Sequence, residues 1–541
     1  MVLLRLTAAV AVLMAAIGGP TALAGDTTCS GTSDDGPLLL AAESAGPGPL
    51  TLSPGTCRFG GNLVLHRRVR FAEGTSFEIA RGARLEFQDE VSAPPAQRIF
   101  SGDGTVAMPG QRTPVYAEWW GAVANGNVSS NAAFQAAHDA LVQGGTIRAL
   151  SGTYLMSCTE RDAVTFTNPK VNLYGQGWQT TRFQPEHDCN HAILSVNAPG
   201  GPGNFRDFQI NGLHLSTPPA YRGIGFTGIK CLSCGVNDFS QIYMFGIGTG
   251  FDLIAGNSVQ LEHLRLQQCA IVCIKTGGGR SDQYFGSGQI TDVIALPGDD
   301  ANGMIVDSGT DELDIRRFME AGSANETPPG AAVGVLVRSS VAGHHRPEGI
   351  RFFEGNIDDN RQANVVLTSV WYFEYHNGAL GGASRGPNLV VEQQGAVNDV
   401  DGVWFDATLI GGAAEDGAVL KSGCNFRFTN ALVHANGWRA PDTHSGIRAG
   451  ARACGLLEVR GSIMGLATRK DAGWGNVYNP QAYAVTLDAG AFSDFVTPEG
   501  RTYTGRVMVE GNMLAGNTRG AIRDASVPKG GRKLIANNMT E

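Results

Sequence analysis

Across residues 25–117 apolar and polar residues alternate in short bursts, such as Leu63-Val64-Leu65, Val69-Arg70-Phe71 and Phe77-Glu78-Ile79. Glycine or proline separates the bursts, which is the pattern of short strands joined by tight turns. A boundary follows at Pro114-Val115-Tyr116-Ala117-Glu118-Trp119-Trp120-Gly121-Ala122. Only one segment then changes period. Ala133, Phe134, Ala137, Ala140 and Leu141 mark one face at helical spacing, Asn131 stands where a capping residue belongs, and Gly144-Gly145 ends the run. This predicts a helix over residues 131–142. Strand character resumes with Thr146-Ile147-Arg148-Ala149-Leu150 and Ser151-Gly152-Thr153-Tyr154-Leu155.

Farther along, the chain repeats itself loosely. Ile350-Arg351-Phe352-Phe353-Glu354 aligns with Phe373-Glu374-Tyr375-His376-Asn377, then Val403-Trp404-Phe405-Asp406-Ala407, Phe426-Arg427-Phe428-Thr429-Asn430 and Leu457-Glu458-Val459-Arg460-Gly461. The central positions 352, 375, 405, 428 and 459 are 23, 30, 23 and 31 residues apart. That spacing suits one rung of a three-sided parallel β-helix with its loops. One rung cannot bury its apolar edge alone, whereas stacked rungs share a continuous core. The predicted class is therefore all-β, a right-handed parallel β-helix, with Val507-Met508-Val509-Glu510 as its last rung.

Residues 119–157, from Trp119-Trp120-Gly121-Ala122 through Asn131-Ala132-Ala133-Phe134-Gln135-Ala136-Ala137-His138-Asp139-Ala140-Leu141 to Gly152-Thr153-Tyr154-Leu155-Met156-Ser157, resemble a known amino-terminal segment. It is that of the pectate-lyase-like superfamily, which includes phage tailspikes, polysaccharide lyases and glycoside hydrolases. The resemblance implies a parallel β-helix that begins with a helix covering the hydrophobic bore. It also implies a polysaccharide as substrate or ligand. The chain departs from the pattern at Ser130-Asn131, where the family more often carries Asp-Asp-Thr, a difference that bears on capping. The expected organisation is a signal peptide at 1–24, a short-strand region at 25–117 and the β-helix at 118–541.

Composition refines this picture. Glycine supplies 74 of 541 residues, about twice the ~7% average, which suits many turns and does not suit a helical bundle. The net charge of −9, without a basic tract, argues against a nucleic-acid partner. A local arginine cluster is still able to hold an anionic glycan. Arg5, the apolar stretch from Leu6 to Ile17, and Ala22-Leu23-Ala24 read as a Sec-type signal peptide cleaved after Ala24. That run is too short for a membrane anchor, and a periplasmic or secreted location is expected. The ten cysteines fit an oxidising compartment. Gaps of about one coil suggest Cys424 with Cys454 and Cys158 with Cys189, and Cys29 with Cys57 would close the amino-terminal region. Cys231, Cys234, Cys269 and Cys273 are left unassigned.

The alignment also predicts where chemistry would gather. If Phe352 and its equivalents point inward, their neighbours point outward. One outward column is Arg351, Glu374, Trp404, Arg427 and Glu458; the other is Phe353, His376, Asp406, Thr429 and Arg460. Glu374 and Asp406 then lie on a diagonal of roughly 8 Å, from strand spacing and rise. An inverting glycosidase leaves ~6.5–9.5 Å between its acid and base. A lyase would use the same patch differently, with Arg351 or Arg427 neutralising a uronate and His376 taking the neighbouring proton. Trp404 suits stacking on a sugar ring, while Glu458, Arg460 and the loop residue His345 would line the substrate.

Two broader alternatives stay open. Arg351–Glu374 and Arg427–Glu458 are also what cross-strand charge pairing would produce in a structural ladder. The β-helix would then be a non-catalytic glycan-binding or envelope-assembly protein. Asp299-Asp300 superficially resembles a polygalacturonase acid pair, but the Gly-His-Gly and Arg-Ile-Lys motifs are absent and a turn is the better reading. Asp358-Asp359-Asn360 has the residue types for calcium as well as for a turn, and no cofactor is otherwise indicated. Glu320 and Glu354 occupy similar strand ends and would stack. No Asp-Pro-His motif of mannuronan epimerases, zinc spacing or phosphate loop is present.

Overall fold

The structure is a computed structural model that describes residues 26–201, 203–212, 225–298, 300–322, 332–393, 400–465, 480–496, 500–526 and 532–540. The predicted signal peptide lies outside these residues. The chain divides into two compact units, Met1–Gly121 with Ala136–Gly145, and Ala122–Gln135 with Thr146–Glu541.

In the smaller unit the short bursts form three parallel stacks. Leu50–Leu52, Val69–Phe71 and Val91–Ser92 make one; Gly55–Phe59, Thr75–Ile79 and Phe100–Gly102 the second; Leu63–Leu65, Arg84–Phe87 and Thr105–Ala107 the third. Alternation does what period two requires, since Leu63, Leu65, Val69, Phe77 and Ile79 are buried and Val64 and Arg70 exposed. Cys29 and Cys57 are bonded. A helix at Gly36–Ser44 was not legible in the sequence. Its run Leu38-Leu39-Leu40 has no helical period, and only Leu39 is buried while Leu38 and Leu40 are exposed.

The larger unit is a parallel β-helix. Its strands pair with the equivalent strands of the preceding and following coils from Asn125–Ser129 to Lys533–Ala536. The last strand adds a coil beyond the predicted final rung, pairing with Arg506–Glu510. The helix runs Asn131–Ala140, and Phe134 meets the inward rings of Tyr154 and Phe183 at 5.2 and 5.3 Å. Asn131 does not cap it: Asn131 Oδ1 accepts from Ser157 N at 2.9 Å, while the Ser130 carbonyl accepts from Phe134 N. A cap needs a side-chain oxygen turned onto the first turn, and Asn131 turns away to a neighbouring strand.

Inside the bore the predicted inward column is realised. Phe352, Tyr375, Phe405 and Phe428 are wholly buried and stack with centroids 5.5, 5.8 and 5.5 Å apart. Each of these four rungs, and the next one through Val459, turns its corner on one left-handed residue directly after the sheet: Glu354, Asn377, Ala407, Asn430 and Gly461. At another corner, buried amides hand donors along the axis. Asn364 donates to Asn388 at 2.8 Å, Asn388 to Asn436 at 3.4 Å, Asn436 to Gln481 at 3.2 Å and Gln481 to Asn517 at 2.8 Å. Stacking thus satisfies polar groups that water cannot reach. Disulfides join Cys158–Cys189 and Cys424–Cys454 across coils, as the gaps predict, and the unassigned four pair as Cys231–Cys234 and Cys269–Cys273.

Candidate active face

Strands Glu348–Phe353, Val370–His376, Val400–Asp406, Ala418–Thr429 and Ser445–Arg460 lie side by side and set the two outward columns. Arg351 pairs with Glu374, Glu374 with Trp404, Trp404 with Arg427, and Arg427 with Glu458. Phe353 pairs with His376, His376 with Asp406, Asp406 with Thr429, and Thr429 with Arg460. Every rung is in the register that the spacing predicts, because a slip of one residue would turn Phe352 and its equivalents out to solvent.

The side chains sort themselves within those columns. Arg427 and Glu458 form a cross-strand ion pair at 3.4 Å, and the Arg427 guanidinium also lies 4.8 Å over the Trp404 ring. Arg351 does not turn to Glu374. Its Nε donates to Asp314 at 2.6 Å, one rung upstream, since Asp314 stands directly opposite it. Glu374 takes His376 instead, Oε2 to Nε2 at 3.1 Å. His376 stacks on Phe353 with centroids 5.3 Å apart and planes 13° apart, which fixes the imidazole plane. Asp406 Oδ1 accepts from the Thr429 hydroxyl at 2.6 Å and from the Asn430 amide at 3.1 Å. Those two donors fix the orientation of the Asp406 carboxylate. The outcome is a half-buried group of Glu374, His376 and Asp406 on two adjacent strands, flanked by Trp404 and bounded by two ion pairs.

Arg460 continues the second column and is exposed. His345 is not part of this group: its ring faces Tyr284 at 5.8 Å, and its carbonyl accepts from Gly309 N, so it belongs to an upstream loop cluster. Neighbours that the aligned window missed are Trp371 and Tyr372, on the same strand as Glu374 and His376. Arg346 lies 3.8 Å over the Trp371 ring, and Tyr372 meets Trp404 edge-on at 6.4 Å. Extending the alignment upstream by two residues would have found both aromatics. Nothing local pointed to Tyr503, which reaches Asp401 Oδ2 at 2.8 Å from a hairpin 102 residues away.

Other expected features settle differently. Glu320 pairs with Ile357, so no Glu320–Glu354 stack exists; Arg317 is the residue that matches Glu354. Asp299 lies outside the described residues, and Asp300 is in a turn, with Oδ1 3.3 Å from Arg361 Nη1. Among the described residues no group of three or more His, Cys, Asp or Glu side chains is placed to hold a metal ion. Nor, among them, is any helix long and apolar enough to cross a membrane. A cleft of about 430 Å³ in the smaller unit is lined by Asp34, Arg58, Glu78, Arg81 and Asp103 and includes none of the predicted residues.

No protein-family model matches the sequence, and no curated protein matches it. Solved structures do resemble it. The A-module of a mannuronan C-5 epimerase from Azotobacter vinelandii aligns with a TM-score of 0.52 at 14% identity, over 79% of this chain and 99% of that one. A second A-module from the same organism aligns at 0.48 and 14% identity, over 78% and 99%. Tailspike protein 3 of bacteriophage CBA120 also scores 0.48, at 13% identity over 78% of this chain and 61% of the tailspike. At such identities the likeness is one of fold, the parallel β-helix that the resemblance of residues 119–157 implies.

Proposed function

We propose that this chain is an exported enzyme that cleaves or modifies a polysaccharide, an acidic one, on the face formed by Glu374, His376, Trp404 and Asp406. The carrying observation is the pairing of Glu374 with His376 next to a carboxylate held by Thr429 and Asn430. It places an imidazole and two carboxylates on adjacent strands, where one proton can be taken and another given. The arginines at the margins suit a uronate-bearing chain and an indole lies beside the acids. The module with a TM-score of 0.52 is itself a mannuronan epimerase, a protein whose substrate is an acidic glycan by name. Five disulfides and the leader-like first 24 residues support export.

The reaction class is tested by incubating purified protein with uronate-containing and neutral polysaccharides. New ultraviolet absorbance from an unsaturated product means a lyase, and new reducing ends without it mean a hydrolase. Incorporation of solvent deuterium without cleavage means an epimerase. Absence of all three on a broad acidic panel, with glycan binding retained, overturns the enzymatic reading in favour of a binding protein.

A further inference from the structure

A second constellation lies on a different sheet of the same β-helix. Strands Asn356–Asp358, Ala379–Gly381, Leu409–Gly411 and Leu432–His434 pair in parallel and put Asp358, Gly381, Gly411 and His434 in one row. The next residues, Asp359, Gly382, Gly412 and Ala435, all take the left-handed conformation. Asp359 and Ala435 do so with side chains attached, so conformation alone does not call for glycine at 382 and 412. Gly381 and Gly411 have no positive φ at all. What the glycines provide is space.

The neighbours use that space. A Cβ at Gly382 would lie 2.5 Å from Asp359 Oδ1 and 2.6 Å from Asp358 Oδ1, and one at Gly381 would lie 3.0 Å from Asp358 Oδ1. Both carboxylates therefore lean over the first glycine pair. His434 leans back from the other side, with Nε2 3.4 Å from where a Cβ would stand at Gly411. Trp438, 38% exposed, donates Nε1 to the Gly412 carbonyl at 3.2 Å and borders the second pair. The floor is fixed from inside the bore, because Asn364 Nδ2 donates to Gly381 O at 2.6 Å and Asn388 Nδ2 to Gly411 O at 2.9 Å.

The outcome is a short trench with two carboxylates at one end, an imidazole at the other and an indole at the rim. With strands ~4.8 Å apart and each end leaning one strand inward, the two ends face each other across about one strand spacing. That spacing lets one hydroxyl oxygen bridge a carboxylate and the imidazole at hydrogen-bond distance, with its carbon lying above the strands. An anionic ligand would meet like charge there. Burial pushes the Asp359 carboxyl up to about 6 and raises Asp358 as well, so below that pH the pair offers both a donor and an acceptor.

We propose that this trench is a second carbohydrate site that takes an uncharged sugar unit, with hydroxyls held by Asp358, Asp359 and His434 and the ring against Trp438. It rests on the proposed action on glycans and adds a site of opposite preference to the arginine-bordered face. The test titrates the full chain with cello-, laminari-, malto- and mannohexaose, with oligogalacturonate as the acidic control. At least one neutral hexaose is expected to bind. The Asp358→Asn/Asp359→Asn double variant and Trp438→Ala should each weaken it about tenfold or more, the effect of one or two lost contacts. Gly381→Val, which fills the floor without changing charge, should abolish it; thermal melts identify any variant that fails to fold. Glu374→Gln should bind the hexaose as the unaltered chain does. If no neutral hexaose binds, or if binding survives both the double variant and Trp438→Ala, the trench inference is wrong. That failure is separable from the proposed function, which is read out by catalysis on acidic polysaccharide and by its loss in Glu374→Gln.

Discussion

Glu320 occupies a costly position in the bore, fully buried as a carboxyl. Its counterparts on the neighbouring rungs are Ala295 and Ile357, both inward and apolar. Its Oε2 accepts from Asn360 Nδ2 at 2.7 Å, whereas Oε1 has no hydrogen-bond partner. Burial pushes the carboxyl up to about 8, helped by Asp358 and Asp359 nearby. Below the unfolded value near 4.5 the group is protonated in both states. Between there and about 8 only the unfolded chain loses the proton, so stability falls as pH rises through that window and levels off above it. Each unit of difference is worth ~1.4 kcal/mol. Melting temperature should therefore decline from pH 5 to 8, and Glu320→Gln should flatten the decline; an unchanged slope in the variant would contradict this account. A second expectation concerns Ala407, exposed, with φ of 49° and no side chain able to hydrogen-bond the turn. Ala407→Gly should raise stability by up to ~1 kcal/mol in denaturant titration, because left-handed geometry strains a Cβ. Single residues were legible where period two is strict, as at Glu374, His376 and Asp406. The ion-pair partner of Arg351 was not legible, because Asp314 lies upstream of the aligned window.

Whole strands and turns were legible where a hydrophobic period exists. The helix Asn131–Ala140 and the rungs through Phe352, Tyr375, Phe405 and Phe428 declare themselves, since burial of one face leaves a period in the sequence. The helix Gly36–Ser44 and the antiparallel hairpin of Phe495–Val496 with Thr502–Tyr503 do not, because tertiary contacts hold them. The hairpin is tied down by the Tyr503 hydroxyl on Asp401 and by Arg501, whose guanidinium lies 5.5 Å over Trp371. Burial and the Asp401 carboxylate push Tyr503 up to about 12, so it remains a donor throughout the physiological range. Tyr503→Phe removes a charged hydrogen bond worth ~1.5–3 kcal/mol. Hydrogen exchange at Phe495–Val496 and Thr502–Tyr503 should accelerate at least tenfold, with the rungs around Tyr375 unchanged. Equal protection in both proteins would show that the hairpin is held by other contacts.

In the larger unit, stability is shared along the stack and each coil depends on its neighbours. Cys424–Cys454 staples two of them over a separation of 30 residues. Closing a loop of that length is worth ~3–4 kcal/mol in the chain-entropy account, so reduction should lower the melting temperature by several degrees. The same stacking gives the outward face its rigidity: Glu374, His376 and Asp406 sit on strands whose register is locked by the rings beneath them. The β-helix was readable because repetition leaves a trace in sequence. Chemistry was readable only as a set of columns, since every outward column is polar and the sequence does not say which charges pair with each other. The most direct test of the active face is the rate of polysaccharide conversion by the Glu374→Gln/Asp406→Asn double variant beside the unaltered chain, on the substrate that the acidic panel identifies. Removing both carboxylates should lower the rate by ~10²–10⁴-fold while the melting temperature stays within a few degrees. Full activity in a folded double variant would contradict the assignment of this face.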